Sequence, residues 1–136
     1  MRLKTLLIAA TLTFSTSAVM AGKSTDANVE IDMELMSATG NMKTARFSKN
    51  KEELIGCGTR TAVNPDGSIF QWGFCQASLS DEEENAFCFT QDSNLVTEIN
   101  AISDFSYITF RWNEEGDCTY IGHSTQSFYL PGKKFK

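Results

Sequence analysis

Two four-residue segments limit what this chain can fold into more than any other feature. They are Asn64-Pro65-Asp66-Gly67 and Asn113-Glu114-Glu115-Gly116, each set between runs rich in aromatic and β-branched residues. Proline pre-sets φ at the second position of a type I turn, aspartate suits the third, and glycine supplies the left-handed residue that follows. The combination predicts a type I turn plus G1 bulge and a three-residue hairpin loop. In the first hairpin Asn64 then pairs with Ser68, so that Phe74 falls opposite Gly58, Trp72 opposite Arg60 and Phe70 opposite Ala62. Large rings over small or long-stemmed partners suggest a buried face, with an Arg60–Trp72 cation–π contact within reach. The second hairpin follows the same logic: Asn113 pairs with Asp117, Phe110 with Tyr120, Ile108 with Gly122 and Trp112 with Cys118. One face is apolar. The other carries Tyr107, Thr109, Arg111, Thr119, Ile121 and His123.

The first register also sets Cys57 opposite Cys75 at a non-hydrogen-bonded position, where side chains approach most closely. The four cysteines, Cys57, Cys75, Cys88 and Cys118, are even in number. In an exported chain they read as two disulfides. The expected pairs are Cys57–Cys75 and Cys88–Cys118. The alternative is Cys75–Cys88 with Cys57–Cys118, because the segment between 75 and 88 is also hairpin-sized. A zinc site fits poorly, since no CxxC spacing occurs and His123 is the sole imidazole. No cofactor or metal is expected.

Export is itself a reading of the sequence. Arg2 and Lys4 precede an apolar and threonine-rich run from Leu6 to Phe14, and Val19 and Ala21 stand at −3 and −1 of a cut before Gly22. That is the pattern of a secretory signal peptide over 1–21. Removing it from 136 residues leaves 115, and losing its two cations takes the net charge from −5 to −7. The remainder suits one domain: residues 22–28 as a flexible N-terminus, 29–131 as a single β-rich body and 132–136 as a basic tail. No later stretch is apolar enough to enter a membrane. An acidic chain is a poor match for nucleic acid. A periplasmic or extracellular monomer is expected.

Between these landmarks, Val29, Ile31, Met33 and Leu35 alternate with Glu30, Asp32 and Glu34, the period-two signature of a half-buried strand. Residues 37–41 read as a turn around Gly40, and 42–48 as a weaker strand. Asp81 to Glu84 form an acidic run, more simply a solvated loop than a calcium site because its carboxylates are contiguous. A short strand over 86–90 places Phe87 and Phe89 on one face and Cys88 on the other. Asp92 or Ser93 caps a helix over about 93–103, with Leu95, Val96, Ile99 and Ile102 as its apolar stripe. Residues 127–131 finish an edge segment closed by Pro131. The expected class is α+β, a mainly antiparallel sheet built from hairpins, with one short helix packed on it.

The chain carries Ile55-Gly56-Cys57, then Cys75-Gln76-Ala77, then Cys88 and a short helix. Ser106-Tyr107-Ile108-Thr109-Phe110, Trp112, Gly116-Asp117-Cys118-Thr119, Ile121 and Ser127-Phe128-Tyr129 before Pro131 complete the series. In this order the residues resemble a family of small exported four-cysteine bacterial proteins over 55–131. Residues 29–35 and 81–85 are not part of the resemblance. It implies paired cysteines and a bacterial envelope or secreted setting, and it brings no catalytic residues.

For function, His123 and Ser124 are strand neighbours and point to opposite faces, which does not make a base–nucleophile pair. No GxSxG elbow occurs. The expectation is a non-catalytic binding or interaction module for a protein or glycan partner, with Tyr107, Arg111 and His123 as candidate surface. The alternative is a small envelope hydrolase using carboxylates or His123.

Overall fold

Both turns form as their residues dictate. Asn64 N–H donates to Ser68 O at 2.8 Å and Asn113 N–H to Asp117 O at 3.1 Å, with Gly67 at φ +84° and Gly116 at φ +83°. Around them, the computed structural model describes residues 22–79 and 85–131. Residues 1–21, expected as a leader, the acidic run 81–84 and the tail 132–136 lie outside the described residues.

The elements are β1 (Glu30–Asp32), β2 (Ser37–Asn41), α1 (Met42–Arg46), β3 (Leu54–Val63), β4 (Ile69–Ser78), β5 (Asn85–Thr90), α2 (Ser93–Asn100), β6 (Tyr107–Trp112) and β7 (Cys118–Ser124). A 3₁₀ turn over Ser127–Tyr129 stands where an edge segment was expected. The strands form two antiparallel sheets, ordered β1-β2-β6-β7 and β3-β4-β5. This is the expected α+β class, with both disulfides in the expected pairing, Cys57–Cys75 and Cys88–Cys118.

The first hairpin keeps its register over its full length, from Val63↔Ile69 through Cys57↔Cys75 to Leu54↔Ser78. The Cys57 and Cys75 Cα atoms lie 4.0 Å apart, the close approach expected of a non-hydrogen-bonded pair. The second hairpin departs from its expected register after one pair. Trp112 faces Cys118, but Arg111 then faces Tyr120, Phe110 faces Ile121 and Ile108 faces His123. Thr119 is therefore an extra residue, a β-bulge that leaves both Thr119 and Tyr120 exposed and rotates the rest of β7 by one position. Ile121 joins the core, and His123 moves to the side of Ile108 and Phe110.

Three local expectations are also corrected. β1 stops at Asp32, whose Oδ1 accepts from Leu35 N–H at 2.8 Å, so Met33 (56% exposed) and Leu35 (72%) lie in a turn and not on a buried strand face. Residues 37–41 are no turn. They form β2, with Ala38 against Phe110 and Gly40 against Ile108. Residues 42–46 are helical because Asn41 caps them: its Oδ1 accepts from Thr44 N–H at 3.1 Å while its Nδ2 donates to Phe105 O.

Segment 22–28, expected as a loose terminus, lies against the body. Thr25 N–H donates to Phe128 O and Asn41 N–H to Ala27 O, and the buried Lys43 reaches Ser24 Oγ and Asp26.

α2 forms where its stripe predicts, a turn shorter than expected. Asp92 Oδ1 accepts from the N–H groups of Asn94 and Leu95, and Val96 and Ile99 are buried. It packs on β3, β4 and β7. Gly73 makes that approach possible, since a Cβ there would stand 2.4 Å from Ile99 Cδ1. One core joins the two sheets: Ile55, Cys75, Ala77, Ala86 and Cys88 from the first, and Ala38, Ile108, Phe110, Cys118 and Ile121 from the second.

Candidate interaction face

On β4 and β5 the inner face of the first sheet is made of small residues. Gly73, Cys75 and Ala77 of β4 and Ala86, Cys88 and Thr90 of β5 are all buried. Because successive side chains alternate, everything between them points the other way. β4 sends Phe70, Trp72, Phe74 and Gln76 outward, and β5 sends Phe87 and Phe89 outward. Phe87 is 58% exposed and Phe70 38%, while Trp72, Phe74 and Phe89 are half-buried. The expectation that this ring-bearing face is buried is thus overturned, although the register behind it holds. The disulfide row takes the core side instead. Cysteine is among the most buried residue types, and Cys57 and Cys75 share a face that excludes the rings. That parity was the signal that could have assigned the faces.

The rings are ordered among themselves. Phe70 stacks on Trp72 at 5.2 Å between centroids, and Phe74 on Phe87 at 6.1 Å. Phe74 lies across β3 at Gly58, where a Cβ would meet its Cζ at 3.0 Å, so the missing side chain makes room for the ring. The Arg60 guanidinium sits 5.1 Å above the Phe74 ring, not over Trp72 as expected, and its Nη1 donates to Thr59 O at 2.9 Å. Beyond Phe70 the hairpin tip exposes Val63 and Ile69. Beyond Phe87 a groove of about 550 Å³ is lined in part by Met33, Met36 and Trp112. The outward positions of the paired strands from 56 to 62, 70 to 76 and 87 to 89 include no carboxylate and one cation, Arg60, in a chain of net charge −5.

The three sequence-nominated residues are only partly gathered. Tyr107 and His123 both line a depression of about 350 Å³ with Glu98, Thr109, Tyr120 and Ser124 at the β7 edge. Tyr107 is engaged by Thr39 Oγ1 and stacks on Tyr129. Arg111 lies outside that lining, with its guanidinium 5.4 Å from the Tyr120 ring. His123 is not the hairpin-surface residue expected. The bulge turns it inward, where Nε2 is 3.5 Å from Glu98 Oε1 and Nδ1 is buried without a hydrogen-bond partner. A third groove, of about 640 Å³, runs between α1 and the segment before β3 and mixes Arg46 and Lys51 with Glu53 and Asp104.

The Sγ atoms of Cys75, Cys88 and Cys118 lie within 4.8 Å of one another, close enough for a metal. All three are in disulfides and offer no thiolate to one. Among the described residues no helix is long and apolar enough to cross a membrane. No protein family, curated protein or solved structure matches the chain.

Proposed function

We propose that this is an exported, disulfide-stapled interaction module without a catalytic role, and that its protein or glycan partner binds the aromatic face of β3-β4-β5. One observation carries the reading. A row of rings from Phe70 to Phe87 is held in order on an open sheet face with one guanidinium and no carboxylate. Contiguous exposed apolar surface of this kind marks interaction sites in soluble proteins, and aromatic side chains and arginine are the residues that dominate binding energy. The mutual stacking fixes the rings before a partner arrives, so less side-chain entropy is lost on binding. The leader-like N-terminus and the two disulfides support export to an oxidising compartment.

The test uses the immobilised protein and a bacterial envelope extract offered as its soluble proteins and as its insoluble glycan. Trp72→Ala/Phe87→Ala is expected to release at least about nine-tenths of the specifically retained component, as expected for loss of two central anchors. Arg111→Ala/Tyr120→Ala, on the other sheet, is expected to retain it. Retention that survives the first pair overturns the reading. The hydrolase alternative has the His123–Glu98 pair to draw on. Among the described residues no hydroxyl is hydrogen-bonded to His123, whose Nε2 faces Glu98.

A further inference from the structure

The four cysteines are arranged as neighbours in a single row. Cys57, Cys75 and Cys88 are consecutive cross-strand partners, one on each strand of the three-stranded sheet, so they form a row across its inner face. Cys118, on the other sheet, closes onto the far end of that row through Cys88. Cys75 therefore belongs to one disulfide and borders the other, with its Sγ within 4.8 Å of both Cys88 Sγ and Cys118 Sγ. Partial exposure is confined to the Cys57 end of the row. Cys57, on the edge strand β3, is half-buried, whereas Cys75, Cys88 and Cys118 are buried.

We propose that the four cysteines form a thiol-exchange site, in which a small external thiol opens Cys57–Cys75 and the released Cys75 thiolate displaces Cys118 from Cys88. In the first step the external thiolate attacks the Cys57 sulfur. A mixed disulfide forms on Cys57, the Cys57–Cys75 bond breaks, and Cys75 leaves as a thiolate. In the second step Cys75 Sγ attacks Cys88 Sγ. The Cys75–Cys88 bond forms, the Cys88–Cys118 bond breaks, and Cys118 carries away the electron pair as a thiolate. Two disulfides stand at the start and two at the end, so one thiol is consumed and one appears, and no net oxidant is needed.

Exchange rate depends on access and on which sulfur is attacked. The half-buried Cys57 admits the external thiol, and the buried neighbour receives its attack from inside. The outcome moves a covalent link. Cys88–Cys118 ties β5 to β7 across the two sheets, while Cys75–Cys88 lies within one sheet. A thiol encountered outside the cell thus converts an inter-sheet staple into an intra-sheet one and leaves a free thiol on β7. This goes beyond the interaction reading and is independent of any partner.

The test treats the full protein, purified with both disulfides intact, with reduced glutathione under native conditions. Samples are quenched with acid, alkylated and mapped as non-reduced peptides over time. The expected product carries glutathione on Cys57, a Cys75–Cys88 bond and an alkylated Cys118. In the Cys57→Ser/Cys75→Ser double variant the relay has no attacking thiol, and Cys88–Cys118 is expected to open at least about tenfold more slowly. Three results overturn the proposal. Glutathione is never found on Cys57; or Cys75 is alkylated while Cys88–Cys118 stays intact; or the double variant opens Cys88–Cys118 as fast as the native chain. Circular dichroism of the double variant separates slow exchange in a folded protein from loss of fold.

Discussion

The two hairpins start from the same turn and end with opposite faces. In both, asparagine opens the loop and a left-handed glycine closes it, and the first cross-strand pair is the expected one. The β3-β4 hairpin then runs ten pairs without a fault and is stapled to itself by Cys57–Cys75. The β6-β7 hairpin inserts Thr119 after one pair and is stapled to the other sheet by Cys118. Cys118 must face inward to reach Cys88, and Ile121, three residues on, must also face inward to meet Phe110. An odd separation puts the two on opposite faces of a regular strand, and one bulged residue reconciles them. Turn chemistry fixes the first pair. What the strand has to reach fixes the rest.

The sharpest way to break this contrast is to shorten two rings that the two sheets place differently. Phe110, fully buried, is expected to cost roughly 3–5 kcal/mol when cut to alanine, because a core cavity adds to the lost transfer energy. Phe87→Ala should cost under about 1 kcal/mol, as its ring is mostly in water. Urea unfolding of the two variants reads both numbers, and comparable costs would mean that the ring face of the first sheet is covered.

Deleting Thr119 removes the bulge and forces a choice. Either Cys118 turns away from Cys88, or Ile121 turns out to solvent, and each loss is worth roughly 2–4 kcal/mol. The expected outcome is a chain with a lowered melting temperature and alkylatable cysteines, or an exposed Ile121. A deletion variant of native stability would remove the bulge from the account.

Gly73→Ala probes the inner face of the first hairpin. Its new methyl group runs into Ile99 Cδ1 under α2, and overpacking of this kind costs about 1–3 kcal/mol. Calorimetry is expected to show a lowered melting temperature, partly restored by Ile99→Val, which shortens the opposing side chain.

The smallest effect separates the turns themselves. Ser68 donates to Asp66 from both its hydroxyl and its backbone N–H, which holds the Asp66 carboxyl below its ordinary value of 3.8. A folded pKa below the unfolded one gives stability that is present above pH 3.8 and lost as pH falls through the folded value. Asp66→Asn should therefore be less stable than the native chain near neutral pH and approach it in acid. The second turn is tied by a neutral amide, Asn113 Oδ1 accepting from Asp117 N–H at 2.8 Å. Asn113→Ala should lose the same amount at both pH values.

The sequence carried the turns, the first register, Cys57–Cys75 and α2, because each rests on contacts within a few residues or on one strand pair, and Cys88–Cys118 followed as the remaining pair. It did not carry the bulge at Thr119, whose cause lies in partners on β5 and β6. Nor did it reveal β2, where Ala38 lies opposite Phe110 and Gly40 leaves room for Val29, whose Cα a Cβ there would meet at 2.9 Å. The cap at Asn41 was readable, with Thr44 three residues on, but a run with no apolar period hid it. The aromatic face is legible as a row of rings, whose size points to core, whereas the parity of the cysteines puts the rings on the outer face.

The most direct test of that face is retention of the envelope component by Trp72→Ala/Phe87→Ala beside Arg111→Ala/Tyr120→Ala, with equal folding checked by circular dichroism. If β3-β4-β5 is the contact surface, the first variant loses its partner and the second keeps it. The reverse pattern, a partner lost only from the second variant, would place the contact on the β6-β7 side and contradict the account.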